Sequence, residues 1–323
     1  MTDLLPATDT EMLDPDLLAT FCLVAETKNF SRAALRMGIA QPVVTRKVKR
    51  LEEVLGTPLF TRTNRGCELT QSGELLASRA MGILHQLEQL KQEVRHSGQV
   101  VAGTITLGMT HVAGTLLAPH LLPAVAAQWP NLRVSLVEGV SHVLSRLARD
   151  RELSLAILYD PPVDADLILT PLLMDRLYLV GAPGPAWQEL KRPGVRSIAT
   201  LPLVLPSAGQ TVRVLLQDAF SEIGAPLVPA YEANSITLLK AMVAQGLGYT
   251  VLTLGAVADE VASGKLMAVP LAQQGMSIAL TLASTREHSR LRTVQLMSEL
   301  IATEIRRLAK SGAWPGSPHV MRG

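Results

Sequence analysis

Apolar positions recur at helical spacing from the start of the chain. Leu17, Phe21, Val24 and Ala25 follow Asp14-Pro15, a side-chain acceptor before a proline whose fixed φ suits a first helical turn, and predict a helix with one buried face. Ser31 is the expected N-cap of a short second helix through Arg32, Ala33, Ala34 and Leu35, which Gly38 can end in a left-handed turn. A third helix is predicted from Gln41-Pro42. Its Val44, Val48, Leu51 and Leu55 are spaced 4, 3 and 4 apart on one face, while Gln41, Thr45, Arg46 and Lys49 occupy another. Residues 59–70 then read as a small hairpin turning at Asn64-Arg65-Gly66. From Thr70, an N-cap by type, a long helix is predicted to about Arg95. Along it Leu76, Ala80, Ile83, Leu87, Leu90 and Val94 are spaced 4, 3, 4, 3 and 4. That heptad seam predicts a partner helix, and so a dimer, ahead of docking on the chain's own domain.

Beyond Gly103 strand-like runs alternate with helical ones. Strands are expected at 104–107, 133–137, 155–158, 177–180, 202–205, 228–232 and 249–252, and helices at 116–128, 143–150, 212–223 and 236–245. This is an α/β pattern with a largely parallel sheet. Residues 96–132 carry no Asp, Glu, Lys or Arg, yet Gly103, Gly108, Gly114, Pro119 and Pro123 break the run. It reads as a buried strand followed by a helix, not as a membrane span.

Composition changes the picture in two places. Aromatics are only 3% of 323 residues, so an aromatic stacking platform for single-stranded nucleic acid is disfavoured. The net charge of +2 hides a strong asymmetry: residues 1–27 carry six acids and no base, and residues 28–65 carry nine Lys or Arg against Glu52 and Glu53. A local basic block in an otherwise near-neutral chain is the footprint expected for phosphate contact. Cys22 and Cys67 are the two cysteines, and the acidic start lacks the basic-then-apolar order of an export signal, so a cytoplasmic location with reduced thiols is expected. The histidines at 85, 96, 111, 120, 142, 288 and 319 form no cluster at ligand spacing, so neither a metal nor any other cofactor is expected.

Two helices joined by a tight Gly-containing turn, the second with an apolar back and a Gln/Thr/Arg front, form the pattern of a helix-turn-helix reader. Gln can pair bidentately with adenine and Arg with guanine in the major groove, whereas Lys47, Lys49 and Arg50 suit phosphates by type. Arg62 and Arg65 at the tip of the hairpin could reach phosphates or a minor groove, as the wing of such a domain does.

The residues that carry these elements have a recognisable identity. Phe21-x-x-Val24-Ala25-Glu26, Phe30-Ser31-Arg32-Ala33-Ala34, Gln41-Pro42-Val43-Val44-Thr45-Arg46, Leu51-Glu52, Leu55-Gly56, Pro58-Leu59-Phe60-x-Arg62 and Leu69-Thr70-x-x-Gly73 together resemble the signature of LysR-type transcriptional regulators. Two short segments, 83–86 and 203–207, further resemble the nitrogen-assimilation branch of that family. Two positions depart from the pattern. Ala40 stands where the family usually has Ser, losing an N-cap typically worth about 1 kcal/mol. Thr45 also replaces Ser, keeping the hydroxyl and adding a methyl that can alter base preference.

The resemblance implies a winged helix-turn-helix domain at 1–70, a linker and dimerisation helix at 71–98, and an effector-binding α/β domain at 99–323. That last domain would resemble periplasmic binding proteins, with one subdomain at about 99–160 and 270–310, a second at about 161–269, and a ligand cleft between them. The chain would cross near 159–162 and return near 269–271. DNA-contacting candidates are then Ser31, Arg32, Gln41, Pro42, Thr45, Arg46, Lys49, Arg50, Arg62 and Arg65. In the cleft, strand-to-helix turns offer free N–H groups and a favourable dipole to an anion. The family's effector-facing positions fall there on Thr110, His111, Ser207, Gly209 and Gln210, joined by Ser235 and Thr250. His111 would favour an anionic effector if protonated and would be a neutral hydrogen-bonding group otherwise.

The implied partners are double-stranded promoter DNA, a small-molecule effector, other copies of the chain in a homodimer or homotetramer, and RNA polymerase. Two rivals come from other classes: a solute-binding protein or enzyme built on the α/β domain, and a DNA organiser without sequence preference. No Gly-x-Ser-x-Gly, phosphate-cradling Gly-x-x-x-x-Gly-Lys or zinc motif supports an enzyme, and no catalytic residue is expected.

Overall fold

The computed structural model describes residues 13–63, 66–95, 101–188, 190, 192–272, 276–316 and 318–321. The chain divides into two compact units, residues 1–97 with 150–152, and residues 98–149 with 153–323.

The first unit begins with α1 (Pro15–Thr27), α2 (Phe30–Met37) and α3 (Gln41–Leu55). Asp14 caps α1 by accepting the Asp16 N–H at 2.8 Å. The cap of α2 is Asn29 and not the expected Ser31, because the Asn29 side-chain oxygen takes the Arg32 N–H at 3.0 Å and the helix opens at Phe30. Gly38 ends α2 at φ +67°, as its position suggests. Ala40 supplies no side-chain cap to α3. Phe21, Leu51 and Leu59 form one buried cluster, and Val24, Ala33, Ala34, Val44, Val48 and Cys67 form another.

A hairpin follows, β1 (Phe60–Thr63) antiparallel to β2 (Gly66–Leu69), with Thr63 opposite Gly66. The Glu52 carboxylate anchors its entry by accepting the Leu59 N–H at 2.7 Å and the Phe60 N–H at 3.3 Å. Gly66 has φ +144°, and a Cβ there would collide with the Lys28 carbonyl, so the turn requires glycine. Thr70 then caps the long α4 (Gln71–Arg95), taking the Gly73 N–H at 3.0 Å.

The seam on α4 is divided, which corrects the expectation of a continuous partner-facing stripe. Leu76 packs on the Phe21–Leu51–Leu59 cluster and Ala80 is fully buried within the chain, because α4 lies against α1. Farther along, Ile83 and Leu87 are exposed. The side chains of Leu90 and Val94 lie outside the described residues, as do the side chain of Arg62 and the whole of Arg65.

The second unit is α/β with a mixed sheet. Its first half contains β3 (Ala102–Met109), α5 (His111–Gln128), β4 (Asn131–Glu138), α6 (Ser141–Arg149), β5 (Leu155–Tyr159), β6 (Leu167–Gly181) and α7 (Val195–Ile198). Then come β7 (Val204–Pro206), α8 (Thr211–Glu222), β8 (Tyr231–Ala233), α9 (Ile236–Ala244), β9 (Thr250–Thr253), α10 (Ala258–Ala262), β10 (Met267–Pro270), β11 (Ser277–Thr285), α11 (Arg292–Ser311) and β12 (His319–Val320).

An eight-stranded sheet runs β10-β6-β11-β5-β3-β4, with β9 and β12 also on β6, and β7-β8 stand apart. The expected largely parallel sheet is corrected. β3 pairs in parallel with β4 and β5, but β6 and β11 are antiparallel to each other and to every other partner in the sheet. The physical reason is that β6 and β11 are long connectors running in opposite directions between two lobes.

Leu167–Arg176 of β6 pairs with β11, and only from Leu177 does the strand pair with β9 and β10. The crossing therefore comes within β6 at 176/177, later than the expected 159–162. β8 begins three residues after the expected 228, α5 begins at His111 and not at 116, and β10, β11 and α11 were not anticipated. α5 is apolar almost throughout, with Pro119 and Pro123 on its exposed side and Val112, Ala113, Leu117, Leu121 and Val125 buried, so its period was faint. The former candidate membrane span is β3 and α5; no helix among the described residues is long and apolar enough to cross a membrane.

Candidate functional site

The first site is one face of one helix. Burial of Val44, Val48 and Leu51 fixes the rotation of α3, and the same rotation exposes Gln41, Pro42, Arg46, Lys49 and Arg50, with Thr45 half-buried between them. Ser31 and Arg32 in the first turn of α2 are exposed as well. Gln41 Nε2 donates to Thr45 Oγ1 at 3.0 Å, so the two side chains one turn apart are already oriented along the face.

The cations of this unit are not equivalent. Lys47 sits 2.6 Å from Asp16, Arg36 is paired with Glu26, and Lys49 and Arg50 both reach Glu53, at 4.0 and 3.4 Å. Among the described residues neither Arg32 nor Arg46 has an ion-pair partner. Arg46 is thus the exposed guanidinium of α3 left without a carboxylate. Lys47, grouped with the phosphate-contacting cations from its type alone, is the one tied back to α1.

The second site is a cavity of about 420 Å³ in the α/β unit, within the size range of small-molecule sites. Four helices begin at its wall: α5 after Thr110, α6 at Ser141, α8 after Gln210 and α9 after Ser235. None of Thr110, Gln210 and Ser235 bonds its own helix through its side chain, so the first-turn N–H groups keep their hydrogen-bonding capacity and their partial positive charge.

Of the positions expected here, Thr110, His111, Gly209, Gln210 and Ser235 line the cavity. Ser207 does not: its backbone N–H is used on Ala233 and its carbonyl on Gln210, making it part of the turn. Thr250 is also corrected. It is fully buried in β9 opposite Val180, whereas Thr253, an odd number of residues along the strand, is the one presented to the cavity.

Several lining residues were missed. Glu138 meets His111 Nδ1 at 3.2 Å, and Ser141 and His142 open α6. The strand-to-helix turn at 139–141 is the same kind of signal that singled out Thr110, so Ser141 was findable. Tyr159 and Thr253 carried no such local mark. Tyr159 is held from both lobes: its N–H donates to Ser141 Oγ at 3.1 Å and its carbonyl accepts from Thr211 Oγ1 at 3.0 Å.

Tyr159 Oη donates at 3.0 Å to Asp175, which also accepts the Trp314 indole N–H at 3.2 Å. Burial pushes the Asp175 carboxyl up to about 6, against the lowering by these donors. Burial and the neighbouring Asp175 charge push the Tyr159 phenol well above its ordinary value. Asp175 is fully buried on β6 one residue before the crossing, beneath the cavity floor.

The cavity wall contains no Lys or Arg; four helix N-termini and the Glu138 carboxylate face it beside the His111 and His142 rings. No group of His, Cys, Asp and Glu suited to a metal ion occurs among the described residues.

Comparison with known proteins gives the family of both parts of the chain. Residues 15–74 match the family described as bacterial regulatory helix-turn-helix protein, lysR family, and residues 98–306 match the LysR substrate binding domain. The chain is 51% identical over 319 residues to the HTH-type transcriptional regulator BbuR of Bordetella bronchiseptica, covering 99% of this chain and 98% of that one. The nitrogen assimilation regulatory protein nac of Klebsiella aerogenes is a weaker match, 28% identical over 90% of this chain and 94% of its own length. Among solved structures, a cysteine-to-aspartate variant of full-length OxyR from Pseudomonas aeruginosa superposes with a TM-score of 0.69 at 26% identity, covering 92% of this chain and 95% of that one.

Proposed function

Because the chain belongs to the LysR family, and so is a DNA-binding transcriptional regulator with a ligand-binding domain and not an enzyme, we propose that the exposed face of α3 reads promoter sequence while the cleft of the second unit senses a small anionic effector. Gln41, Thr45 and Arg46 are the base-reading residues of this proposal. Ser31, Arg32, Pro42, Lys49, Arg50, Arg62 and Arg65 position the domain on the sugar-phosphate backbone. The observation that carries it is the unpaired Arg46 beside the Gln41–Thr45 pair on a face otherwise fixed by burial. In the cleft, the supporting observation is the convergence of four helix N-termini on a wall without Lys or Arg. Backbone dipoles that the fold already points at the cavity stabilise an anion without first burying a cation.

The exposed Ile83 and Leu87 on α4 support self-association through the distal part of that helix, as a homodimer or a tetramer built from dimers. The place of action is the cytoplasm, where bacterial promoter DNA is held, and RNA polymerase is the further partner of a regulator at a promoter. Thiol chemistry in the sensing unit is not part of this reading. Residues 98–323 contain no cysteine, and burial pushes the Cys22 thiol of the first unit up to about 11.

Selection of bound fragments from a sheared genomic library at about 150 mM salt tests the DNA reading. Enriched fragments sharing a two-fold symmetric site are expected. Arg46→Ala should relax the preference at one base pair by about 1–3 kcal/mol. An unchanged set of fragments with Arg46→Ala removes Arg46 from the readout.

A further inference from the structure

Lys28 holds a backbone conformation that its side chain disfavours. At the C-terminus of α1 it lies at φ +51° and ψ +24°, in the left-handed region that glycine and asparagine enter most readily. Three contacts fix the turn in that shape. Thr27 Oγ1 donates to the Asn29 carbonyl at 3.1 Å, the Asn29 side chain caps α2, and the Lys28 carbonyl accepts the Cys67 N–H of β2 at 3.1 Å. The same carbonyl lies where a Cβ on Gly66 would stand, so the hairpin is rooted on the backbone of this one residue.

None of these contacts uses the Lys28 side chain, and glycine or asparagine would supply the same backbone at less cost. Among the described residues its exposed ammonium has no carboxylate partner and makes no hydrogen bond, whereas Arg36, Lys47, Lys49 and Arg50 are all paired. Nor does the fold gain from the charge through helix dipoles: a cation favours the end of α1 but opposes the start of α2, which opens at Phe30. Backbone strain of this kind persists where function uses it.

The position says what the charge meets. Lys28 stands between the first turn of α2, with its exposed Ser31 and Arg32, and the hairpin, where Cys67 lies opposite Arg62. In a helix-turn-helix unit the helix before the reading helix crosses the sugar-phosphate backbone, and here that helix is α2. Resting on the reading of α3 as the DNA-contacting helix, we infer that Lys28 is a positioning residue: its ammonium takes a DNA phosphate at the junction of α2 and the hairpin, and its backbone ties the hairpin to that place.

The test measures binding of the full-length protein to random-sequence duplex DNA, and to a fragment enriched in the genomic selection, as salt rises from about 50 to about 200 mM. Lys28→Gly and Lys28→Asn should bind both duplexes more weakly. Their slope of log affinity against log salt should be shallower by about 0.9, so that the advantage of wild type falls about 3.5-fold across that range. Their melting temperatures should be no lower than that of wild type, which separates a lost contact from a lost fold; variants that both melt lower mark Lys28 as structural and overturn the inference. Lys28→Arg should keep the wild-type slope. Lys265→Gln, which removes an exposed cation of the second unit, should keep it too, and a change as large as that of Lys28→Gly would assign the effect to net charge and overturn the inference. A wild-type slope in Lys28→Gly and Lys28→Asn also overturns it, and leaves Arg46 and α3 as they stand. Wild-type protein that binds neither duplex at about 50 mM salt overturns both readings.

Discussion

In the roles proposed for them, the exposed face of α3 and the cleft would meet the same requirement, holding negative charge, by different means. On α3 the positive charge is carried by long, solvated side chains within ten residues of one helix, at positions 41–50. In the cleft it comes from the starts of four helices spread between Thr110 and Ile236, with no Lys or Arg in the wall. The difference follows from solvent. A DNA phosphate is met at the surface, where a hydrated cation costs nothing to keep waiting. A ligand in a cavity is met where an idle cation would be desolvated, and peptide dipoles fixed by the fold avoid that cost.

The largest test of this contrast lies far from the cleft in sequence. Trp314 is fully buried after α11 and donates to Asp175 beneath the cavity. Trp314→Ala should destabilise the sensing unit by about 3–5 kcal/mol and blunt its ligand response, while α1–α3 keep their DNA preference. Denaturant melts read with fragment binding would check it. A stability within error of wild type would show that the cleft does not depend on this distant contact.

Asp175→Asn is the next largest. Native burial raises the carboxyl to about 6 from 3.8, so the native state holds its proton more tightly than the unfolded one. Stability from this group is therefore present below about pH 4 and is lost as pH rises to about 6, by about 3 kcal/mol in the limit. The neutral amide should flatten that decline, so that relative to wild type the variant gains stability between pH 4 and pH 8. Parallel melting profiles of the two proteins across this range would remove Asp175 from the titration.

The smallest effect belongs to the local site. Ala40→Ser supplies the missing N-cap of α3 and should stabilise the first unit by about 0.5–2 kcal/mol, with no change in ligand binding. If chemical denaturation shows no gain, Ala40 is not where α3 lacks support.

The reading face was legible because its causes are local. The 4-3-4 spacing of Val44, Val48, Leu51 and Leu55 fixes which side of α3 is buried, and the opposite side follows without reference to the rest of the chain. The misplaced cap of α2 was a local matter as well: Asn29 outcompeted Ser31 because its side chain reaches the Arg32 N–H from the true helix boundary. α11 carries the same kind of local signal, since its buried Val294, Met297, Ile301, Ile305 and Leu308 recur at helical spacing.

The cleft was legible only in part. Thr110, Gln210 and Ser235 stand at strand-to-helix turns, which the alternation of elements reveals. Tyr159 and Thr253 stand at strand ends, and Ser207 and Thr250 are of equally suitable type. Which of them faces the ligand depends on pairings between residues as distant as Tyr159 and Leu280, or Leu177 and Thr253.

By itself, then, the sequence determined the first three helices, which side of α3 is exposed, the family and the α/β class of the second unit, because helical period, caps and glycine turns act over a few residues. Only the tertiary structure decided where α4 turns its seam from its own domain to solvent, where β6 crosses between lobes, and how Tyr159, Asp175 and Trp314 meet beneath the cavity. Those outcomes are set by sheet register and long-range burial, for which no single stretch of chain carries the information.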